Sequence, residues 1–185
     1  MSSHASAARS SAISRCNAPA GAGASRRAID HSVANTASIA IAGKSRVRGV
    51  FVERLAKVED LRGKLVAGEI DAFLPFKVKR FFVVHGVPGR EVRGQHAHRA
   101  CHQFLVCIRG SCRVIADDGR HRQEFLLADP GTGVYLPPRT WGVQYDYSPD
   151  AALLVFASHA YDARDYVRDY EAFLRPLFRL TNIRG

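Results

Sequence analysis

The strongest constraint on this chain is the rhythm of its apolar runs. Gly49–Leu55, Val78–His85, Phe104–Ile108, Cys112–Ala116, Phe125–Leu127, Gly133–Leu136, Gly142–Tyr147 and Ala152–Ala157 are short and rich in Val, Leu, Phe and Tyr. They recur roughly every 8–12 residues with Gly and Pro punctuation, the pattern of a β-sandwich or small barrel. Arg109-Gly110-Ser111 and Asp117-Asp118-Gly119 read as tight turns between strands, and Glu59–Gly63 as a further turn. One helix is expected over Asp162–Phe178, where Tyr166, Val167, Tyr170, Phe173, Leu174 and Leu177 fall at helical spacing. Asp162 and Asp165 suit its positive end, and Pro176 is expected to end or kink it.

Residues 1–45 have a different texture, rich in Ser, Ala, Gly and Arg, with no aromatic residue. Such a stretch cannot bury enough apolar surface to offset its ordering entropy. It is read as a disordered tail or a mis-called start, ahead of a transit-like peptide, and the folded domain as residues 46–178. The net charge of +10 is divided between the two parts. The tail carries Arg9, Arg15, Arg26, Arg27 and Lys44 against Asp30 alone, and the remaining positive charge is dispersed among acids. No basic stripe with interleaved aromatics is present, so nucleic acid is not expected as a partner. A modest positive field suits a small anion such as a sugar diphosphate. Ser32–Gly43, the longest mildly apolar stretch, falls short of the roughly 20 residues a membrane span needs. Cys16, Cys101, Cys107 and Cys112 lack C-x-x-C spacing, which fits buried thiols in a reduced, cytoplasmic protein.

Chemistry concentrates in Arg93-Gly94-Gln95-His96-Ala97-His98. On an extended strand, residues i and i+2 share a face, so His96 and His98 project together. Paired imidazoles serve either metal binding or proton transfer. Metal-binding cupins follow H-x-H with a glutamate a few residues on and a later histidine. Gln103 and Gly142 stand at those positions here, so no metal is expected. Tyr135 and Trp141 suit either core packing or the wall of a pocket, and His102 becomes a site candidate if it faces inward.

The same stretch, with Gln103-Phe-Leu-Val-Cys-Ile-Arg-Gly-Ser-Cys-Arg-Val114 and Asp117-Asp-Gly119, resembles the WxcM-like sugar 3,4-ketoisomerases. Asp60-Leu-Arg-Gly-x-Leu65, Pro75-Phe-x-x-Lys-Arg80, Gly133-Val-Tyr-Leu-Pro-Pro138, Trp141 and Tyr161-Asp-x-x-Asp-Tyr-x-Arg-Asp-Tyr170 fit that group in order. The resemblance implies an all-β fold: a cupin jelly-roll barrel with a C-terminal helix. It implies cofactor-independent isomerisation of a dTDP-linked 4-keto-6-deoxyhexose to its 3-keto isomer, in a homodimer. His96 is then the general base, as in the RmlC-like epimerases that share Arg-Gly-x-His, and His98 the partner acid. Arg93 and Arg62 would meet the diphosphate or sugar oxygens, with Gln103, Tyr135, Trp141 and His102 as further substrate contacts. Two departures stand out: family members carry tyrosine in the strand that here reads Arg80-Phe-Phe-Val-Val84, and many carry histidine where this chain has Gly142. They leave open a different keto sugar, or a cupin that binds a nucleotide sugar without isomerising it.

Overall fold

Alternation of large apolar side chains on both faces of the central strands forces packing above and below each sheet. The structure, a computed structural model, describes residues 45–88 and 90–181, with side chains in the last helix described to Arg175. The reading of residues 1–44 as a tail lies outside these residues.

The chain runs β1 (Phe51–Arg54), β2 (Ala56–Asp60), β3 (Gly63–Ala67), α1 (Ile70–Phe73), β4 (Arg80–His85), β5 (Arg93–His98) and β6 (Gln103–Arg109). It continues through β7 (Cys112–Asp117), β8 (Arg122–Leu127), β9 (Thr132–Leu136), β10 (Trp141–Tyr145), β11 (Ala152–Ala157), β12 (Tyr166–Val167) and α2 (Tyr170–Thr181). One sheet has the order β1-β9-β6-β11-β4 and the other β12-β5-β10-β7-β8, while β2 and β3 form a separate hairpin. All pairings are antiparallel. The class is all-β, as the spacing of apolar runs predicts.

The main core lies between the two sheets. Leu105, Cys107, Val134, Leu136, Leu153 and Val155 from the first meet Cys112, Val114, Ala116, Phe125 and Leu127 from the second. Each large aliphatic side chain buried there contributes about 1.5–3 kcal/mol. The alternate residues Phe104, Val106 and Tyr135 form a second cluster on the outer face of the first sheet, with Phe73 and Leu74. Cys101, Cys107 and Cys112 are buried free thiols, and Cys16 falls outside the described residues.

The C-terminal segment departs from expectation. The helix starts at Tyr170, not Asp162. Asp162 instead caps a single 3-10 turn over Ala163–Asp165, and Tyr166 and Val167 add a short strand to the edge of β5. Those two apolar residues satisfy helical spacing equally well, but the exposed edge of β5 offers them backbone partners that a helix would forgo. Pro176 does not end α2, whose backbone stays helical to Thr181. Helix α2 covers the outer face of the second sheet, where Phe173, Tyr170 and Leu174 pack on Trp141 and Ala97.

Trp141 is only 7% exposed, with ring centroids of Tyr170 and Phe173 at 5.0 and 5.6 Å. Replacing it with alanine is expected to cost about 3–5 kcal/mol, seen as a lower urea midpoint.

Candidate active site

Strand β5 aims two imidazoles into the space between the sheets. Its alternation sends Ala97 outward against Trp141, so His96 and His98 point the other way. The turn of backbone just before them is specific. Gly94 sits at φ +79, and a side chain there would come within 2.7 Å of the Gly142 carbonyl. Only glycine is accommodated without displacement. Gln95 is also left-handed, at φ 53, and the pairing with β10 passes from Gly142↔His96 to Val143↔Gly94, leaving Gln95 as a bulge. The Gly94 carbonyl thereby lies 2.9 Å from His96 Nδ1.

His98 is anchored from the other side. Its Nδ1 lies 2.7 Å from Asp165 Oδ2. The Asp165 carboxylate also accepts from the Ala100 backbone N–H at 2.7 Å and the Cys101 N–H at 3.3 Å. Sixty-seven residues separate the two partners, and they meet because β12 pairs with β5.

These contacts count the protons. Each Nδ1 faces an oxygen that can only accept, so each Nδ1 carries hydrogen. The two Nε2 atoms then face each other at 3.2 Å. Two bare lone pairs at that distance repel, and two N–H groups clash. One proton between them makes the hydrogen bond, giving a pair of net charge +1 opposite the Asp165 carboxylate. Burial works against that charge and holds both histidines below the ordinary value near 6.5. For His96 the Gly94 carbonyl acts in the opposite direction, and for His98 the Asp165 hydrogen bond does. Burial works to raise the Asp165 pKa, but hydrogen bonds from Ala100, His98 and Cys101 outweigh it and keep the carboxyl below its usual range. The Tyr166 ring packs on both imidazoles, its centroid 4.8 Å from His96 and 4.5 Å from His98.

The facing sheet supplies the opposite wall. Arg80, Ala157, Gln103 and Leu136 form one cross-strand row. A side chain at Gly142, beside His96, would meet Leu136 Cδ1 at 3.3 Å, so the two rows confront each other. Gln103 is therefore brought to the imidazole side and is buried.

The other sequence-derived candidates are distributed differently. Arg93 precedes the imidazoles on β5 opposite Gln144 and is exposed, its charge felt at Tyr147. Tyr135 and His102 lie on the outer face of the first sheet, bonded to each other at 2.6 Å and stacked with Phe76. Trp141 lies on the outer face of the second sheet beneath α2, turned away from the histidines by strand parity. Arg62 is 89% exposed at the tip of the β2–β3 hairpin, ion-paired with Asp60 at 2.6 Å, and no contact joins it to the imidazoles of its own chain. Asp165 and Arg80 escaped the sequence reading. Asp165 was assigned to a helix start, and Arg80 was noted only as part of a motif.

Among the described residues, His98, Cys101 and Asp165 place ligand-type atoms within 4.8 Å of one another. His98 and Asp165 there already bond each other, and Asp165 also holds two backbone N–H groups. Gln103 and Gly142, at the two positions where a metal-binding pattern would continue, bring no carboxylate or imidazole to His96.

A family model described as FdtA, WxcM-like, C-terminal, matches residues 48–177. A curated relative, the TDP-4-oxo-6-deoxy-alpha-D-glucose-3,4-oxoisomerase of Aneurinibacillus thermoaerophilus, is 43% identical over 125 residues, covering 68% of this chain and 90% of its own. Among solved structures, the WlaRB TDP-quinovose 3,4-ketoisomerase of Campylobacter jejuni is 35% identical, with a TM-score of 0.66 over 70% of this chain and 99% of that one. A 3,4-ketoisomerase from Thermoanaerobacterium thermosaccharolyticum, a mutant solved with TDP-4-keto-6-deoxyglucose, is 29% identical. Its TM-score is 0.68 over 70% of this chain and 94% of that one.

Asp165 raises the His98 pKa through its hydrogen bond and its charge. Asp165→Asn is therefore expected to shift the His98 titration to lower pH, measured by NMR of the ring protons. An unmoved titration would contradict the contact.

Proposed function

Given that the chain belongs to the FdtA, WxcM-like C-terminal family, we propose that it is a 3,4-ketoisomerase acting on a TDP-linked 4-keto-6-deoxyhexose through His96 and His98. The observation that carries this reading is the chain of contacts Gly94–His96–His98–Asp165, which sets two imidazole Nε2 atoms at hydrogen-bond distance while each Nδ1 faces an oxygen.

The proposed reaction uses that proton without a metal step. The C4 carbonyl of the sugar acidifies the hydrogen on C3. Neutral His96 removes it while the His98 imidazolium donates its proton to the C4 oxygen, giving an enediol. His96 then returns its proton to carbon C4, and His98 takes the proton from the C3 oxygen. The product is the 3-keto isomer, and His98 is again the cation. The pair carries one excess proton throughout. Asp165 stabilises His98 as the resting cation and is a positioning residue.

The reading includes a homodimer. The β2–β3 hairpin leaves Val58, Leu61 and Leu65 exposed, and β4, at a sheet edge, exposes Phe81 and Val83. An isolated two-stranded hairpin is marginal in water, so these apolar residues favour cover by a second copy. That arrangement would also give Arg62 a role in substrate binding, reaching the sugar diphosphate in the partner's site, with Arg93 from the chain's own β5. Arginine suits this because its planar fork pairs with phosphate oxygens. Gln103 faces the imidazoles and is proposed to contact the sugar. In this reading the enzyme serves the synthesis of a surface-glycan sugar.

The test is proton NMR of the protein with dTDP-4-keto-6-deoxyglucose in deuterated water. The 3-keto isomer is expected with the natural protein, and His96→Asn is expected to slow its formation by about 10²–10⁴-fold. Unchanged substrate beside line broadening would favour a binding protein without isomerase activity, a reading to which Phe82 lends support, since its inward ring brings no hydroxyl. Arg62→Ala is expected to weaken TDP binding by about 10-fold or more, the loss of a charge-assisted hydrogen bond. Sedimentation is expected to give twice the chain mass. A monomer with full TDP affinity would contradict the role assigned to Arg62.

A further inference from the structure

Arg80 has no use in the chemistry described so far, and its surroundings are unusual for an arginine. It opens β4 on the inward face, in the same cross-strand row as Ala157 and Gln103. Its Nε is buried and meets no acceptor among the described residues. Its guanidinium carbon lies 5.2 Å from the Phe82 ring centroid and 5.6 Å from that of Tyr161, and among the described residues no carboxylate comes within ion-pairing distance. Aromatic faces hold such a cation in place without neutralising it. A buried N–H left without a partner costs roughly 1–3 kcal/mol, which any oxygen presented to it would recover.

The location suits an oxygen of the reacting sugar. Arg80 stands in the row that faces the imidazoles across the gap, and its charge acts at His98, the proposed acid. Ala157, between Arg80 and Gln103 in the row, is fully buried and small, so no side chain at that position separates Arg80 from Gln103. When His96 removes a proton from carbon, negative charge builds on the neighbouring sugar oxygen before His98 has fully delivered its own. A fixed, dry N–H donor near that oxygen stabilises the transition state more than the ground state. We infer that Arg80 is the oxyanion-holding residue of this site, its Nε–H donating to the sugar oxygen on which charge develops. This assignment rests on the ketoisomerase reading and extends it to a residue that acts on the reacting atoms rather than on the diphosphate.

The assignment separates kcat from nucleotide affinity. Arg80→Met keeps the length and apolar stem but removes the donor. It is expected to lower kcat by about 100-fold or more, with TDP affinity measured by calorimetry unchanged, and Arg80→Lys is expected to recover part of the loss. A second readout needs no turnover: loss of the cation should raise the His98 pKa in the NMR titration of Arg80→Met, and an unmoved titration would place the guanidinium away from the imidazoles. Retained kcat in Arg80→Met would overturn the assignment while leaving the ketoisomerase reading intact. A fall in TDP affinity matching the fall in kcat/KM would overturn it in favour of a phosphate contact. Absence of exchange or isomerisation in the natural protein would overturn the ketoisomerase reading, and the oxyanion role with it.

Discussion

Two imidazole nitrogens 3.2 Å apart, each with its ring's other nitrogen already committed, set the terms for the rest of this site. The distance is comfortable only with a single proton between them. Everything around the pair serves that condition. Gly94 and the Gln95 bulge bring a carbonyl under His96, β12 brings Asp165 to His98, and Tyr166 covers both rings. Burial and the nearby charge of Arg168 lower both histidines, while Asp165 acts in the opposite direction. In the proposed isomerisation the same proton inventory is preserved at each step, so the site is prepared for the reaction before substrate arrives.

The two sheets divide their work. The second presents the His96–His98 pair, with Gly142 leaving the space beside His96 free of a side chain. The first presents Arg80 and Gln103 across the gap. Outside this sandwich, α2 packs over Trp141, and the Tyr135–His102 cluster packs with Phe73 and Phe76 on the outer face of the first sheet. The β2–β3 hairpin belongs to neither sheet, which is why Arg62 finds no place in its own chain's site.

Much of this was legible from residue order. The strands are announced by apolar runs between Gly and Pro, and the common direction of His96 and His98 follows from the two-residue period of a strand. Parity was harder. Thr132–Leu136 and Gln103–Arg109 are apolar on both faces because both faces are buried, so the pattern alone does not say which way Tyr135 points. The hairpin gave little signal because Ala56–Asp60 is exposed throughout and Gly63–Ala67 nearly so. The helix boundary slipped because Tyr166 and Val167 satisfy two periodicities, and only pairing with β5 decides between them. Asp165 and Arg80 were hidden for a deeper reason. Their roles come from contacts between distant strands, which no local motif records.

The measurement that bears most directly on the central claim is the ¹⁵N chemical shifts of the His96 and His98 ring nitrogens in the ligand-free protein near neutral pH. The account requires both Nδ1 atoms to appear fully protonated and the two Nε2 atoms to share one proton between them. Two protonated Nε2 atoms, two bare Nε2 atoms, or a bare Nδ1 on either ring would contradict it.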